Sequence, residues 1–450
     1  MKYGHEYVRI LKLGIPILVG QLGSVVTGFV DNMMVGHYTT ASLAAASFCN
    51  NFYNTAILAC LGFTYGITPL VGALYARRDS AGIGSVMRTA LRVNTIFCVA
   101  VTAVMAILYF FLDRMGQPGE LLPLIRPYYL TCLAGLIPLT LFNVFAQWSY
   151  GINNTAMPMW IILGANVLNV AGNYMLIYGA WGMPELGLTG AGLSTLTARV
   201  VCAVAIVGIF AFAGRNREYR KGYASDPGKG CPAPRIWRTS LPVSVQMGCE
   251  TAAFSGSAVL CGILGTLPLA AFQVIVVIGT LGFCIYYAIG AAVAVRVANA
   301  RGAGDMRGMR TSAWAGYHVL LAVMLLSSLT FIFGGHALIS MFTNDAAVVG
   351  LASTLIFPLV MYQLGDATQI NFANALRGTS NVMPMLWIAV VSYLIIGLPS
   401  SYLLAFTCGL GVYGIVLSFS VSLFLAGALY LVFFMRTTRR QAASFGENPA

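Results

Sequence analysis

Residues 13–36 read LGIPILVGQLGSVVTGFVDNMMVG, and the only charged side chain in this run is Asp31. A helix that crosses a lipid bilayer needs about 20 mostly apolar residues. The stretch is long enough to cross, and a carboxylate inside it is costly in a lipid environment. It therefore predicts a membrane-spanning helix in which the acid has either a function or a polar partner.

The composition indicates that the rest of the chain is similar. Of the 450 residues, 58% are hydrophobic and 8% are charged, whereas about 25% are charged in soluble globular proteins. The mean hydropathy is +0.81. So few charges exclude a soluble enzyme, a disordered chain and a disulfide scaffold. None of the 10 cysteines forms the Cys-x-x-Cys pair that is typical of zinc and redox sites.

Twelve apolar runs of sufficient length follow one another along the chain. We therefore expect an all-α integral membrane protein with twelve transmembrane helices. The predicted spans are 13–36, 44–74, 91–112, 125–150, 157–180, 190–213, 239–263, 268–298, 313–335, 347–376, 382–407 and 412–435.

The basic residues predict the orientation of these helices. The chain has 25 lysines and arginines against 13 acids. If both termini are cytoplasmic, the loops and tails on that side hold all 25 except Arg114, Arg126 and Arg199. This distribution is typical of a multi-pass protein of the cytoplasmic (inner) membrane and does not indicate nucleic-acid binding. Arg199 lies within a span, where it either pairs with a carbonyl or extends toward the interface.

A shift of 226 residues superimposes the two halves of the sequence. It places Ile15-Pro16-Ile17 on Leu241-Pro242-Val243, and Met157-Pro158-Met159 on Met383-Pro384-Met385. Because six helices per half is an even number, both halves insert with the same orientation, and we expect a pseudo-two-fold axis along the membrane normal. The predicted units are a six-helix lobe over 1–213, a cytoplasmic linker over 214–238, a six-helix lobe over 239–435 and a cytoplasmic tail over 436–450.

Three acids lie inside the predicted spans, namely Asp31, Glu250 and Asp366, and no lysine does. A carboxylate at the bilayer centre costs at least about 2.5–3.5 kcal/mol. In the 226-residue register the partners of these acids are uncharged: Ser257, Ser24 and Thr140. The scaffold is therefore duplicated and the charges are not. An ion or proton site is the functional interpretation, and a neutral, hydrogen-bonded acid is the structural alternative.

Polar side chains surround two of these acids at helical spacing. Gln246 precedes Glu250 by four residues, Tyr362 precedes Asp366 by four, and Gln369 follows by three. Residues at these spacings share a helix face. Oxygen ligands on one face suit a hard cation such as Na⁺, and neighbouring carboxylates suit H⁺ equally. Glu250 and Asp366 are therefore candidate ligands for Na⁺.

In the first lobe, Asn166, Asn169 and Asn173 occupy one helix face. Three amides in one stripe either line a polar cavity or join helices by hydrogen bonds. Both interpretations stay open at this point.

Several short motifs spread along the chain belong to one pattern. They are Gln21-x-x-Ser24, Asp31-Asn32-Met33-Met34-Val35-Gly36, Leu43-Ala44-Ala45, Asn169-x-x-x-Asn173-Tyr174-x-Leu176-Ile177-Tyr178-Gly179, Gly187-x-x-Gly190-Ala191, Arg296-Val297 and Ala375-Leu376-Arg377-Gly378. Together they resemble the multidrug and toxic compound extrusion (MATE) family, over essentially the whole chain. The pattern of acids is similar to the NorM-like branch. The related DinF-type branch carries an acid where Asn173 stands.

This resemblance implies two sites. Glu250, Asp366 and Tyr362 match the cation-coupling site of the second lobe. Asp31, with the two asparagines, matches a first-lobe polar site used for H⁺ or Na⁺. The side chains that we expect to line the substrate cavity are Asn169, Asn173, Gln246 and Gln369.

The predicted function is a secondary antiporter, in which Na⁺ or H⁺ drives export of organic cations by alternating access. We expect no enzymatic activity, no cofactor besides the coupling ion, and a monomer in the lipid bilayer. No Walker A motif is present to use ATP. The alternative is a lipid-linked oligosaccharide flippase of the same superfamily, which would need several intramembrane basic residues where this chain has Arg199. A non-transporting scaffold is the third candidate.

Overall fold

The computed structural model describes residues 3–114, 118–225 and 231–444, and these residues contain helices and no strands. The α-helices are α1 Gly4–Tyr38, α2 Thr40–Thr64, α3 Ile67–Ala76, α4 Ser80–Tyr109, α5 Leu122–Ala134, α6 Leu136–Gly151, α7 Ala156–Tyr178, α8 Gly187–Phe212, α9 Arg217–Ala224, α10 Ala233–Leu264, α11 Thr266–Gly302, α12 Met306–Ser340, α13 Ala346–Thr354, α14 Ile356–Gly378, α15 Met383–Ala389, α16 Leu398–Tyr402 and α17 Gly411–Ser444. Residues 226–230 of the predicted linker and 445–450 of the predicted tail lie outside the described residues.

The predicted transmembrane architecture is confirmed. Among the described residues, eleven helical stretches are long and apolar enough to cross a membrane, and the pair α13–α14, bent by 48°, provides a twelfth. Several helices exceed the predicted spans, since α11 has 37 residues and α17 has 34. At 1.5 Å per residue such helices extend beyond a hydrocarbon core of about 30 Å.

Three of the predicted spans are each built from two helices. The breaks lie between α2 and α3, between α5 and α6 at Gly135, and between α13 and α14 at Leu355. The third residue of each second helix is a proline: Pro69, Pro138 and Pro358. A proline in the first turn removes no helical hydrogen bond, because the N–H groups there have no partner within the helix. These prolines therefore begin new helices instead of interrupting one.

The breaks show where the two halves differ in length. Gly135 and Leu355 are 220 residues apart, and each is followed by a helix with proline at its third position. The last residues of α6 and α14, Gly151 and Gly378, are 227 residues apart, because α14 has 23 residues and α6 has 16. The 226-residue spacing therefore holds to within one residue at the ends of these helices and not at the breaks. The correspondence of Asp366 with Thr140 stays a prediction.

The chain packs into two compact units. One, the N-terminal unit, comprises Val19–Ser244, and the other, the C-terminal unit, comprises Met1–Leu18 with Val245–Ala450. The two points of division, after residues 18 and 244, are 226 residues apart. Each therefore falls at the same place in the repeat, within α1 and within α10. The lobe limits drawn from the sequence stay predictions.

Repeated acids cap two long helices. The Asp79 carboxylate accepts a hydrogen bond from the Gly82 backbone N–H at 2.8 Å and begins α4. The Asp305 carboxylate accepts one from the Gly308 backbone N–H at 2.7 Å and begins α12. An aspartate at this position satisfies N–H groups that have no helical partner. These two acids, unlike those inside the spans, have a structural explanation.

Glu6 joins the N-terminal end of α1 to two other helices. It sits in the first turn of α1, and its carboxylate accepts hydrogen bonds from Arg296 at 2.7 Å and from Ser312 at 3.1 Å. The pair is largely shielded, with 13% of the Glu6 side chain and 18% of the Arg296 side chain exposed. The first turn of α1 is thus fixed to α11 and α12 within the C-terminal unit.

A pair of glycines brings α9 against α4 in the N-terminal unit. A Cβ atom at Gly84 would meet backbone atoms of Tyr219, Gly222 and Tyr223 at less than 3 Å. A Cβ atom at Gly222 would meet the backbone of Ala81 in the same way. The two helices can therefore approach this closely only because both positions lack a side chain.

We predict that Gly84→Ala and Gly208→Ala change stability in opposite directions. Glycine to alanine within a helix normally stabilises by about 0.5–1 kcal/mol, and Gly208 of α8 has open space around it. At Gly84 the added methyl displaces α9, which costs about 1–3 kcal/mol. Thermal melting of both purified variants in the same detergent checks this, and a Gly84→Ala protein as stable as Gly208→Ala would contradict the described packing.

Candidate functional site

Two helices of the C-terminal unit carry the predicted cation-coupling residues. Gln246 and Glu250 lie on α10, and the Gln246 amide donates a hydrogen bond to the Glu250 carboxylate at 3.2 Å. Tyr362, Asp366 and Gln369 lie on α14, and all three are buried. The helical spacing that predicted these two groups therefore places a polar residue beside Glu250 and a buried polar face on α14.

Glycines hold α14 close to α17 at the level of Asp366. A Cβ atom at Gly365 would lie 3.0 Å from the Leu423 side chain, and one at Gly427 would lie 3.0 Å from the Thr368 side chain. Small residues at helix contacts allow close backbone approach, which is how helices in membranes pack tightly. Asp366 is thus placed on a segment whose backbone is fixed by its neighbour.

Tyr362 is positioned by a third glycine, Gly279 of α11. The tyrosine hydroxyl lies against the Gly279 backbone, in space that a Cβ atom would occupy. The Tyr362 ring also packs edge-on against Phe419, with ring centroids 6.0 Å apart. The Tyr362 side chain, which precedes Asp366 by one helical turn, therefore has little freedom to move.

The two acids of this site have no nearby positive charge to balance them among the described residues. Within the described residues, no lysine or arginine forms an ion pair with Glu250 or Asp366. The two carboxylates lie close enough for the charge of Glu250 to act on Asp366, and Asp366 is only 7% exposed. Like charges near each other in an apolar region disfavour double ionisation. The pair can therefore be neutralised by taking up a proton or a small cation.

A hydrogen-bond network lies beside Asp366 that the sequence interpretation missed. The hydroxyls of Tyr286 and Ser327 both donate to the side-chain oxygen of Gln363, Ser327 at 3.3 Å. Gln363 is buried and precedes Asp366 by three residues. The spacing rule that found Gln369 could therefore have found Gln363 too, whereas nothing in the sequence singles out Tyr286 or Ser327.

The N-terminal unit contains a second polar cluster. The Asn173 amide of α7 donates a hydrogen bond to the Asp31 carboxylate of α1 at 2.5 Å. The Asn169 amide donates to the Thr195 hydroxyl of α8 at 3.2 Å, and the Ser194 hydroxyl donates to the Asn169 backbone carbonyl at 2.7 Å. The asparagine stripe thus joins α7 to two neighbouring helices, as one of the two interpretations expected.

The asparagine stripe also contains side-chain atoms that have no hydrogen-bond partner among the described residues. The side-chain oxygens of Asn169 and Asn173 are buried and accept no hydrogen bond in the described part of the chain, and the Asn166 amide nitrogen donates none. Buried polar atoms usually have partners, so such atoms indicate a place for water or an ion. The amides therefore join helices and also leave two buried oxygens without a partner, one of them on Asn173, whose amide nitrogen is hydrogen-bonded to Asp31.

Arg199 has specific partners inside the N-terminal unit. Its guanidinium donates a hydrogen bond to the Tyr53 hydroxyl and lies over the Tyr53 ring, 5.2 Å from the centroid. Its charge also acts on Asp31. The sequence left open whether this arginine pairs with a carbonyl or extends to the interface, and it contained no signal for Tyr53.

Comparison with known proteins identifies the family. The model of the MatE family matches residues 16–175 and 242–403. The two matched segments begin 226 residues apart, which is the spacing of the internal repeat. Together they cover most of the chain.

Similar sequences span nearly the full length of the chain. A protein named "Probable multidrug resistance protein NorM" from Bradyrhizobium diazoefficiens is 28% identical, over 97% of this chain and 94% of that protein. A protein named "Multidrug resistance protein PmpM" from Pseudomonas aeruginosa is 29% identical, over 89% of this chain and 84% of that protein.

Solved structures have the same fold. The crystal structure of the eukaryotic MATE transporter AtDTX14 has a TM-score of 0.88 at 16% identity, covering 99% of this chain and 100% of that chain. A MOP superfamily transporter from Pyrococcus furiosus has a TM-score of 0.87 at 18% identity, covering 98% of this chain and 97% of that chain. The family model, which matches both halves of the repeat, establishes that this chain belongs to the MatE family.

Proposed function

We propose that this protein is a multidrug efflux antiporter of the inner membrane, with both termini cytoplasmic. Inward movement of Na⁺ or H⁺ drives the export of organic cations as access alternates between the two sides. The names of the NorM and PmpM relatives support the efflux of drugs. The distribution of lysine and arginine supports the orientation.

The observation that carries the proposal is the pair Glu250 and Asp366. Both belong to one unit, they act on each other, and neither has a basic partner in the described residues. A small cation or a proton discharges the pair, and an organic cation is attracted to the same negative field. Binding of one therefore weakens binding of the other, which is the differential affinity that antiport requires.

The cluster around Asp31 has a different electrostatic character. Its acid accepts a hydrogen bond from Asn173 and experiences the positive charge of Arg199. An internal cation reduces the attraction of this site for a second cation. We therefore assign the main ion-coupling role to Glu250 and Asp366, with Tyr362 beside them, and a supporting polar role to Asp31, Asn169 and Asn173.

We predict that Asp366→Asn abolishes transport without preventing folding. The amide has nearly the same shape as the carboxylate but carries no charge for a cation to neutralise. Ethidium transport into or out of proteoliposomes, driven by imposed Na⁺ or pH gradients, should fall to the level of protein-free liposomes.

The matched control is Asp345→Asn. The Asp345 carboxylate caps α13 by accepting a hydrogen bond from Ala347 N–H at 2.9 Å, and asparagine caps a helix about as well. This variant should transport like the wild type. Full transport by Asp366→Asn at wild-type protein levels would refute the assignment of the site.

We also predict that Gly279→Ala impairs ion coupling by moving Tyr362. A displaced, buried side chain costs about 1–3 kcal/mol, so the ion concentration for half-maximal transport should rise by about fivefold or more. Gly334→Ala on α12, where the added methyl has open space, is the control. If Gly279→Ala and Gly334→Ala both reach half-maximal transport at the ion concentration of the wild type, Tyr362 does not belong to the coupling site.

A further inference from the structure

The helical stretch after α15 contains an unusual backbone. Val390–Gly397 is a π-helix, in which the Leu398 N–H donates to the Tyr393 carbonyl five residues earlier. A second π-helical segment follows at Leu403–Thr407. Long π-helical turns are rare and often lie at functional sites. Pro399 explains the first one, because its ring clashes with the carbonyl four residues earlier and a wider turn relieves that clash.

Hydroxyl groups stabilise the backbone around this widened turn. The side chains of Ser400 and Ser401 both donate to the Gly397 carbonyl, at 2.8 and 3.1 Å. The Ser401 hydroxyl also pairs with the Ser418 hydroxyl of α17 at 2.5 Å. The π-helical turn is therefore fixed at its C-terminal end, and its geometry is part of the packed C-terminal unit.

The π-helical turn buries two hydroxyl side chains, Ser392 and Tyr393, and the longer of the two is Tyr393. It is 2% exposed, and its hydroxyl is buried without a hydrogen-bond partner in the described residues. A buried hydroxyl with no partner costs about 1–3 kcal/mol. Such an atom indicates a place for a partner that the described residues do not supply, such as a water or an ion.

The surroundings of Tyr393 indicate what that ligand is. The Leu398 side chain, five residues after Tyr393, lies against Gly256 of α10, six residues after Glu250, so α10 packs against the π-helical turn. The ionisable groups close enough to act on the Tyr393 phenol are Glu250, Asp366, Tyr430 and Cys249. Of these four, two are the carboxylates of the candidate coupling site. No basic group is among them. A phenol hydroxyl beside two carboxylates adds a neutral oxygen to a negative site, which is the donor set that hard cations prefer.

We propose that the Tyr393 hydroxyl is a third oxygen ligand, with Glu250 and Asp366, for Na⁺ in the C-terminal unit. This inference rests on the proposed function and makes it more specific, because it selects Na⁺ as the coupling ion. Na⁺ takes hydroxyl oxygens directly, and it leaves the tyrosine neutral. The π-helical turn positions the Tyr393 hydroxyl, so this helix supplies an oxygen ligand although it carries no acid of its own.

Tyr393→Phe removes the oxygen and keeps the ring. Binding of ²²Na⁺ to the purified full-length protein should show a Kd raised by about threefold to tenfold, the range expected for one lost neutral oxygen contact. Ethidium binding in Na⁺-free buffer should not change. Tyr430→Phe is the matched control, because that buried hydroxyl already donates to the Met385 carbonyl at 3.4 Å, and its Na⁺ affinity should stay within about twofold of the wild type.

Parallel ethidium transport in proteoliposomes, under separate Na⁺ and pH gradients, distinguishes the outcomes. If the wild-type protein binds Na⁺ and Tyr393→Phe binds it with the same Kd, the inference is wrong, whereas the proposed antiport is unaffected. Transport driven by H⁺ alone, with no ²²Na⁺ binding, also overturns the inference while the antiport stands. If neither gradient drives transport, the proposed function itself is contradicted. A raised Kd in Tyr393→Phe with a normal Tyr430→Phe supports the proposal, since a loss of packing would affect both variants.

Discussion

Two carboxylates that have no basic partner among the described residues, held in an apolar helical unit, constrain everything else in this protein. Burying a carboxylate in lipid is costly, and Glu250 and Asp366 also act on each other. Either they stay neutral, or they are compensated by something that arrives and leaves. The second possibility gives a physical reason for antiport, because the state that attracts an organic cation is the state that has lost its small cation.

The packing around these acids is built to hold them in place. Glycines at 279, 365 and 427 remove side chains where α11, α14 and α17 approach one another, and a π-helical turn brings Tyr393 to the same region. In the N-terminal unit, α1, α7 and α8 carry a milder polar cluster, in which Asn173 and Arg199 moderate the charge of Asp31. A duplicated scaffold thus supports two sites of different electrostatic character.

The sequence predicted the fold well because its signals are strong and local. Apolar runs of spanning length and a 226-residue repeat are sufficient for a twelve-helix architecture, and i, i+4 spacing pairs Gln246 with Glu250. Contacts between distant helices were not predictable. The partners of Arg199 and Glu6 depend on how the helices pack. The position of the Tyr393 hydroxyl depends on a π-helical turn, and Pro399 is the one residue in the sequence that indicates this turn. The breaks at Gly135 and Leu355 depart from the 226-residue spacing because α14 is longer than α6, and a single shift of the sequence cannot show such a difference in helix length.

The most direct test of the central claim is the release of small cations when an organic cation binds. Ethidium added to purified protein in weakly buffered, low-Na⁺ solution should displace H⁺ or Na⁺ in about one-to-one proportion, detected by a pH indicator and a Na⁺ electrode. The double variant Glu250→Gln/Asp366→Asn should release neither. Ethidium that binds the wild-type protein tightly while no H⁺ or Na⁺ leaves would contradict the account.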